Sequence, residues 1–332
     1  MSVPSVLDRA ALDRALEFLG ERLRHEHPLS PLSTYRVGGA AARFVEVTDA
    51  EELARIAAAT AGLLAPEQVL VVGRGSNLLV ADRGFEGLAL QLGESFGEIE
   101  VPPVDTPGAA ADDDVVVRVG GAAALPVVAR RTVAAGLSGF EWAVGVPGSI
   151  GGAVRMNAGG HGADMSEVLV GVHAVDLCSG EDVRMPASAL ELGYRRSALR
   201  AAQVVTRAEL RLRRGSRDEG ESRLSEIVRW RREHQPGGSN AGSVFTNPVG
   251  DSAGRLIDAA GCKGVRVGGA EVSTKHANFI QTDAGGTAAD VVAVMSQVVE
   301  RVEASAGVRL HAETVLVGFD EPVRLALTGP AR

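Results

Sequence analysis

The groups in this chain best suited to chemistry are backbone donors before they are side chains. Two glycine-rich segments, Gly73-Arg74-Gly75-Ser76-Asn77 and Gly145-Val146-Pro147-Gly148-Ser149-Ile150-Gly151-Gly152, carry few side chains to keep a ligand off the main chain. Their N–H groups suit close approach to phosphates. A large two-phosphate cofactor needs such donors from more than one direction, and Asn157-Ala158-Gly159-Gly160-His161-Gly162 lengthens the second segment. Apolar runs flank the first, Val69 to Val72 before it and Leu78 to Val80 after it, so it reads as a turn between strands. A dinucleotide fingerprint needs a helix directly after its glycines, and a P-loop needs Gly-Lys-Ser/Thr. Neither is present, which disfavours an NAD-type Rossmann site and an ATP P-loop.

Reactive side chains gather in four places: Tyr194-Arg195-Arg196-Ser197, Asn240 to Pro248, Ser273 to Asn278, and His311-Ala312-Glu313. Ser243 suggests a nucleophile, but Gly242-Ser243-Val244 lacks the G-x-S-x-G elbow and no His and Asp stand in triad order. Alternation along a strand from Val308 to Val317 puts His311 and Glu313 on one face. No metal is expected, because His25 and His27 have no supporting ligand cluster. Cys178 and Cys262 are too few for a disulfide framework and read as reduced.

These groups need a scaffold, and 332 residues with 45% hydrophobic content supply one of about two domains. A net charge of −8 and 4% aromatic residues argue against a nucleic-acid surface. No apolar run approaches the roughly 18 residues that span a bilayer, and the start lacks a signal-peptide pattern, so a cytoplasmic protein without a membrane partner is expected. The spacing predicts helices over Leu7 to Leu23, after a Thr48/Glu51 capping box, over Leu125 to Ala135, and over Ala288 to Ala304 ended by Gly307. Strands are expected at Ala42 to Val47, Val115 to Val119, Val172 to Leu177 and Val204 to Leu212. Glu100 to Asp114 reads as a solvated insertion, only the later part of Arg213 to Arg232 as helix, and Thr328 to Arg332 as a frayed tail.

Taken in order, the motifs resemble the UDP-N-acetylenolpyruvoylglucosamine reductase (MurB) family of flavoenzymes. The resemblance runs from Pro31 to Gly39 through Gly73 to Leu79, Gly139 to Gly162, Tyr194-Arg195, Ala241 to Pro248 and Leu256 to Ile280 to Glu313. It implies an α+β chain: a two-part FAD-binding unit of the vanillyl-alcohol oxidase type, 1–90 and 91–214, then a substrate domain, 215–320, with 308–332 packing back on the FAD unit. The implied cofactors are bound FAD and the reductant NADPH, and the implied substrate is UDP-N-acetylglucosamine-enolpyruvate. The product would be UDP-N-acetylmuramate for peptidoglycan, and so for cell shape and division. A monomer is expected.

Carried onto this sequence, the resemblance makes Arg195 the stabiliser of enolate charge, Ser243 the proton donor and Glu313 the assisting acid. Cofactor contacts fall on Tyr35, Val71, Gly73, Arg74, Gly75, Ser76, Asn77 and Leu78, then on Gly145, Val146, Pro147, Gly148, Ser149, Gly151, Gly152 and Asn157. Substrate contacts fall on Tyr194, Arg231, His234, Asn247, Lys275, His276 and Asn278. Three positions depart from the family pattern: His234 stands where many relatives have a lysine for the diphosphate, Thr246 replaces a lysine, and His161 replaces an aromatic. The short run from Arg195 to Ser243 resembles the subtype without a substrate-capping loop. Two other readings share these features, an FAD-linked oxidase and a non-catalytic flavin or nucleotide-sugar binder.

Overall fold

A computed structural model describes residues 7–103 and 114–329. Most of the insertion expected over Glu100 to Asp114, and the last three residues of the expected tail, lie outside the described residues. The chain is α+β and divides into two compact units, neither of them contiguous. One comprises Met1–Arg24, Arg43–Arg74 and Gly87–Arg231; the other comprises His25–Ala42, Gly75–Glu86 and Arg232–Arg332. The first glycine segment carries the chain from one to the other between Arg74 and Gly75.

The first unit is built on a six-stranded sheet. Asp182–Pro186, Leu169–Asp176, Gln203–Arg214, Val115–Gly120 and Ile99–Glu100 lie side by side in that order, and Leu137–Ser138 pairs with the far end of Gln203–Arg214. Period-two alternation explains the long central strand: Ala208, Leu210 and Leu212 are buried while Glu209 and Arg211 face outward. Helix Leu125–Ala134 buries Leu125, Val128, Ala129, Thr132 and Val133, the i, i+3, i+4, i+7, i+8 stripe of an amphipathic helix, in the same core. A second core in this unit joins Leu53, Ile56 and Ala57 of helix Ala50–Thr60 to Leu88, Leu90, Val175 and Val204.

In the second unit helix Ala288–Ala306 buries Val291, Met295, Val298 and Val302, packed with Leu79, Phe245 and Leu310. Its N-terminus is held by a Thr287/Asp290 capping box and by Asp82, whose two carboxylate oxygens accept the Ala288 and Ala289 N–H groups at 2.9 and 3.0 Å. Gly307 ends it with φ of 67°, a left-handed cap that suits glycine. Arg266–Val267, Ala270–Val272 and Ile280–Thr282 form a small antiparallel sheet. Val315–Val317 pairs in parallel with Leu78–Val80.

Several local expectations are corrected. The helix after Thr48 is capped by Asp49, whose Oδ1 accepts the Glu52 N–H, while Glu52 accepts the Thr48 N–H, so the cap sits one residue later than the Thr48/Glu51 reading and is not a reciprocal box. The first helix is α-helical only over Arg9–Ala15, then 3-10 over Glu17–Arg22, where Gly20 at φ 55° breaks the pattern. The strand expected over Val308 to Val317 is regular only at Val315–Val317, which removes the alternation argument for His311 and Glu313. Arg217–His234 is one helix of 18 residues, longer than its apolar spacing suggested. Glu321–Thr328 is a helix that buries Leu327 and takes in Thr328, the first residue of the expected tail.

Candidate active site

Within the first unit the two glycine segments are neighbours. A Cβ on Gly73 would lie 2.6 Å from Ser149 Oγ, inside any normal contact, so a side chain there would displace Ser149. Ser149 is itself buried and caps helix Ile150–Met156, its Oγ accepting from the Gly152 N–H. The second segment is stitched to the end of strand Val115–Gly120: Ile150 N–H to Ala123 O at 2.9 Å, Gly151 N–H to Gly121 O at 2.8 Å, and Leu125 N–H to Gly148 O at 3.1 Å. Gly145 and Gly148 are buried, Val146 and Val71 half-buried, and Pro147 exposed. Backbone from two directions, with no side chain on the glycines between, fits a two-phosphate cofactor.

The second unit holds the rest of the first segment and ties it to Glu313. Gly75, at φ 62°, runs against the backbone of Leu32, where a Cβ has no room, and its carbonyl accepts from Thr34 N–H and Oγ1. Asn77 then holds the chain just after Glu313: its Nδ2 donates to Glu313 O at 3.1 Å and its O accepts the Val315 N–H at 3.0 Å. Arg74 is exposed, and Ser76 and Leu78 are half-buried. Tyr35 is fully buried in this unit's apolar core with its hydroxyl lacking a protein partner; burial raises its pKa and keeps the phenol neutral.

The segments that carry Ser243 and Glu313 are brought together by main-chain pairing, not by a regular strand. Glu313 N–H donates to Val244 O at 2.7 Å, Thr246 N–H donates to His311 O at 2.9 Å, and Phe245 bridges Ala312. Asn278 locks the other side of the Ser243 segment. Its Oδ1 accepts the Phe245 N–H at 2.9 Å, its Nδ2 donates to Phe245 O at 2.8 Å, and its O accepts the Val244 N–H at 2.9 Å. Gly242, at φ 73°, turns the chain just before Ser243, and Asn240 Oδ1 takes its N–H.

Arg195 belongs to the first unit. It sits with Tyr194 in a two-residue turn closed by mutual hydrogen bonds between Gly193 and Arg196, each 3.1 Å. Its φ of 56° is left-handed, its Nη2 donates to Gly159 O at 3.2 Å, and its guanidinium lies 5.1 Å from the exposed Tyr194 ring. Asn157, 2% exposed at the end of helix Ile150–Met156, directs its side chain to Asp164, Ser166 and Gly193.

The remaining substrate candidates divide by what they touch. Lys275 Nζ donates to Arg232 O at 2.6 Å at the end of helix Arg217–His234, a favourable place for a cation. His276 Nδ1 accepts the Asn278 N–H, and burial, then Lys263 and His234, lower its pKa, so it stays neutral. Asn247 is exposed and its Oδ1 accepts the Ala253 N–H. His234 is exposed, while Arg231 is partly buried with its pKa lowered by that burial. Among the described residues there is no His, Cys, Asp or Glu cluster able to hold a metal, and no helix long and apolar enough to cross a membrane.

Sequence reasoning missed Gly193, Asp164 and Ser166, and named Asn240 only as the start of a polar cluster. The signals were there: a glycine directly before Tyr194-Arg195, and Asn or Asp two residues before the N–H each accepts, the usual Asx turn.

Comparison with known proteins accounts for this arrangement. Residues 41–185 match the FAD binding domain family, and residues 234–317 match the C-terminal domain of UDP-N-acetylenolpyruvoylglucosamine reductase. The UDP-N-acetylenolpyruvoylglucosamine reductase of Heliobacterium modesticaldum is 40% identical over 91% of this chain and 92% of its own length. That of Acidiphilium cryptum is 40% identical over 96% and 98%. The crystal structure of the Thermus caldophilus enzyme aligns with a TM-score of 0.73 at 34% identity, covering 89% of this chain and 99% of that one. The chain therefore belongs to the UDP-N-acetylenolpyruvoylglucosamine reductase (MurB) family, FAD-dependent oxidoreductases of peptidoglycan precursor synthesis.

Proposed function

We propose that this chain reduces UDP-N-acetylglucosamine-enolpyruvate to UDP-N-acetylmuramate with NADPH, through Arg195, Ser243 and Glu313. The observation that carries the reading is the main-chain pairing of the Ser243 segment with the Glu313 segment, in which Glu313 N–H donates to Val244 O, while Asn77 of the glycine segment donates to Glu313 O. Gly73 to Leu78 and Gly145 to Gly152 would hold FAD, with the close approach of Gly73 to Ser149 keeping the two segments side by side. The chemistry supplied by bound FAD is hydride relay from NADPH to the terminal carbon of the enolpyruvyl group.

The chain's own residues manage charge and the proton. Arg195 stays protonated and grips the substrate carboxylate, where enolate charge develops, through two parallel donors. Ser243 gives its hydroxyl proton to the carbon beside that carboxylate; a weak acid suffices because that carbon is strongly basic at that moment. Glu313 assists the enolic form. Tyr194, Asn247 and His276 line the substrate side, with Arg231 or His234 facing the diphosphate where relatives use lysine. In these terms 1–90 and 91–214 serve the cofactor, Tyr194 and Arg195 excepted, and 215–320 the substrate, as a cytoplasmic monomer.

The test follows NADPH absorbance with the purified yellow protein, with and without UDP-N-acetylglucosamine-enolpyruvate. Oxidation that depends on the sugar nucleotide supports the reading. Oxidation indifferent to it, or oxygen uptake in its absence, defeats it.

A further inference from the structure

We infer that Asn157 is a positioning residue for Arg195, its buried amide setting the turn that carries the guanidinium. The inference rests on the charge-stabilising role proposed for Arg195. Sequence placed Asn157 among the cofactor contacts, but its amide is turned elsewhere. Nδ2 donates to Gly193 O at 3.0 Å and to Asp164 Oδ2 at 3.2 Å, and Oδ1 accepts the Ser166 N–H at 2.9 Å. Both amide hydrogens are engaged by protein, which leaves no donor for a ligand.

The backbone conformation makes the choice of residue informative. Asn157 ends its helix at φ 39°, in the left-handed region where glycine is the usual cap. Glycine would fit there with less strain, so what asparagine adds is the amide. That amide holds the carbonyl of Gly193, the same carbonyl that accepts the Arg196 N–H and closes the Tyr194-Arg195 turn. Arg195 is itself left-handed, a conformation that residues with a Cβ disfavour, so the turn persists only while its ends are held.

Three contacts register this turn on one short stretch of chain. Asn157 holds its base, Gly159 O takes the Arg195 Nη2 at 3.2 Å, and Arg155 O takes the Ser197 hydroxyl at 2.7 Å. A guanidinium that must meet a carboxylate through two parallel donors tolerates little displacement. Asn157 therefore acts on the reaction through the placement of Arg195.

Asn157→Gly is the cleanest perturbation, since it accepts the left-handed backbone and removes only the amide. In the holoenzyme, FAD content and flavin reduction by NADPH should stay within about twofold of wild type, while reoxidation by UDP-N-acetylglucosamine-enolpyruvate slows on the order of 10²-fold. In an Arg195→Ala background the same change should add less than about twofold, because the two residues act as one. A second variant, Asn157→Asp, keeps the acceptor for Ser166 but faces Gly193 O and Asp164 with a carboxylate, and should show the same split more deeply. Loss of FAD or of fold in both variants, equal slowing of both half-reactions, or additive losses with Arg195→Ala overturns the inference. An Arg195→Ala enzyme that reoxidises normally removes the role of Arg195 and this inference with it. Slow Arg195→Ala beside normal Asn157→Gly removes this inference alone.

Discussion

Asn278 offers the sharpest separation between a residue that binds substrate and one that builds the site. Its side chain is 4% exposed and makes two hydrogen bonds to the main chain of Phe245, one donated and one accepted, at 2.8 and 2.9 Å. Asn278→Ala leaves both Phe245 groups without those partners in a buried segment. An unsatisfied buried polar group costs about 1–3 kcal/mol, so the pair should cost about 2–6 kcal/mol. That is a large part of a typical total stability of about 5–15 kcal/mol. Urea denaturation should show it as a lowered midpoint, together with a fall in kcat, because Val244 and Phe245 pair the segment that carries Ser243 with the segment that carries Glu313. Asn278→Asp should also destabilise, since it keeps the acceptor for Phe245 N–H but sets a carboxylate against Phe245 O. Unchanged stability with only a raised KM for the sugar nucleotide would make Asn278 a substrate ligand and refute this reasoning.

Gly75→Ala should weaken FAD retention and destabilise the protein by at least about 1 kcal/mol, because its left-handed φ disfavours a Cβ and the Leu32 backbone occupies the space; flavin fluorescence on release and denaturant titration report both, and a fully yellow variant of wild-type stability would contradict it. His276 has its pKa lowered, first by burial, and accepts the Asn278 N–H only when neutral. Its folded pKa lies below the unfolded value near 6.5, so stability should be intact above that pH and fall as pH drops below it. His276→Gln should flatten this dependence in part, with His161, also lowered by burial and then by Arg223 and Arg231, supplying more of the same sign; an unaltered pH profile would exclude His276.

Much of the framework was legible because it is local. The stripe of Val291, Met295, Val298 and Val302 and the left-handed stop at Gly307 define the last long helix from sequence alone. The glycine segments were legible for a similar reason, since lack of side chains can be read directly. The site's geometry was less so. Glu313 was placed by strand alternation, yet what fixes it is pairing with Val244 and a hydrogen bond from Asn77, contacts between residues far apart in the chain. Asn157, Asn278 and Lys275 look like ligand contacts in a linear reading because they are polar residues within family motifs. Their partners show side chains engaged by backbone, which no spacing rule reveals. The two compact units, threaded through each other in sequence, were hidden for the same reason.

The central claim, that Ser243 delivers the proton to the reduced enolpyruvyl group, is tested most directly by anaerobic stopped-flow of Ser243→Ala holoenzyme. Flavin reduction by NADPH should proceed at nearly the wild-type rate, while reoxidation by UDP-N-acetylglucosamine-enolpyruvate should collapse by about 10²–10⁴-fold, the usual worth of a positioned acid. Reoxidation at the wild-type rate, or equal slowing of both half-reactions, would contradict the account.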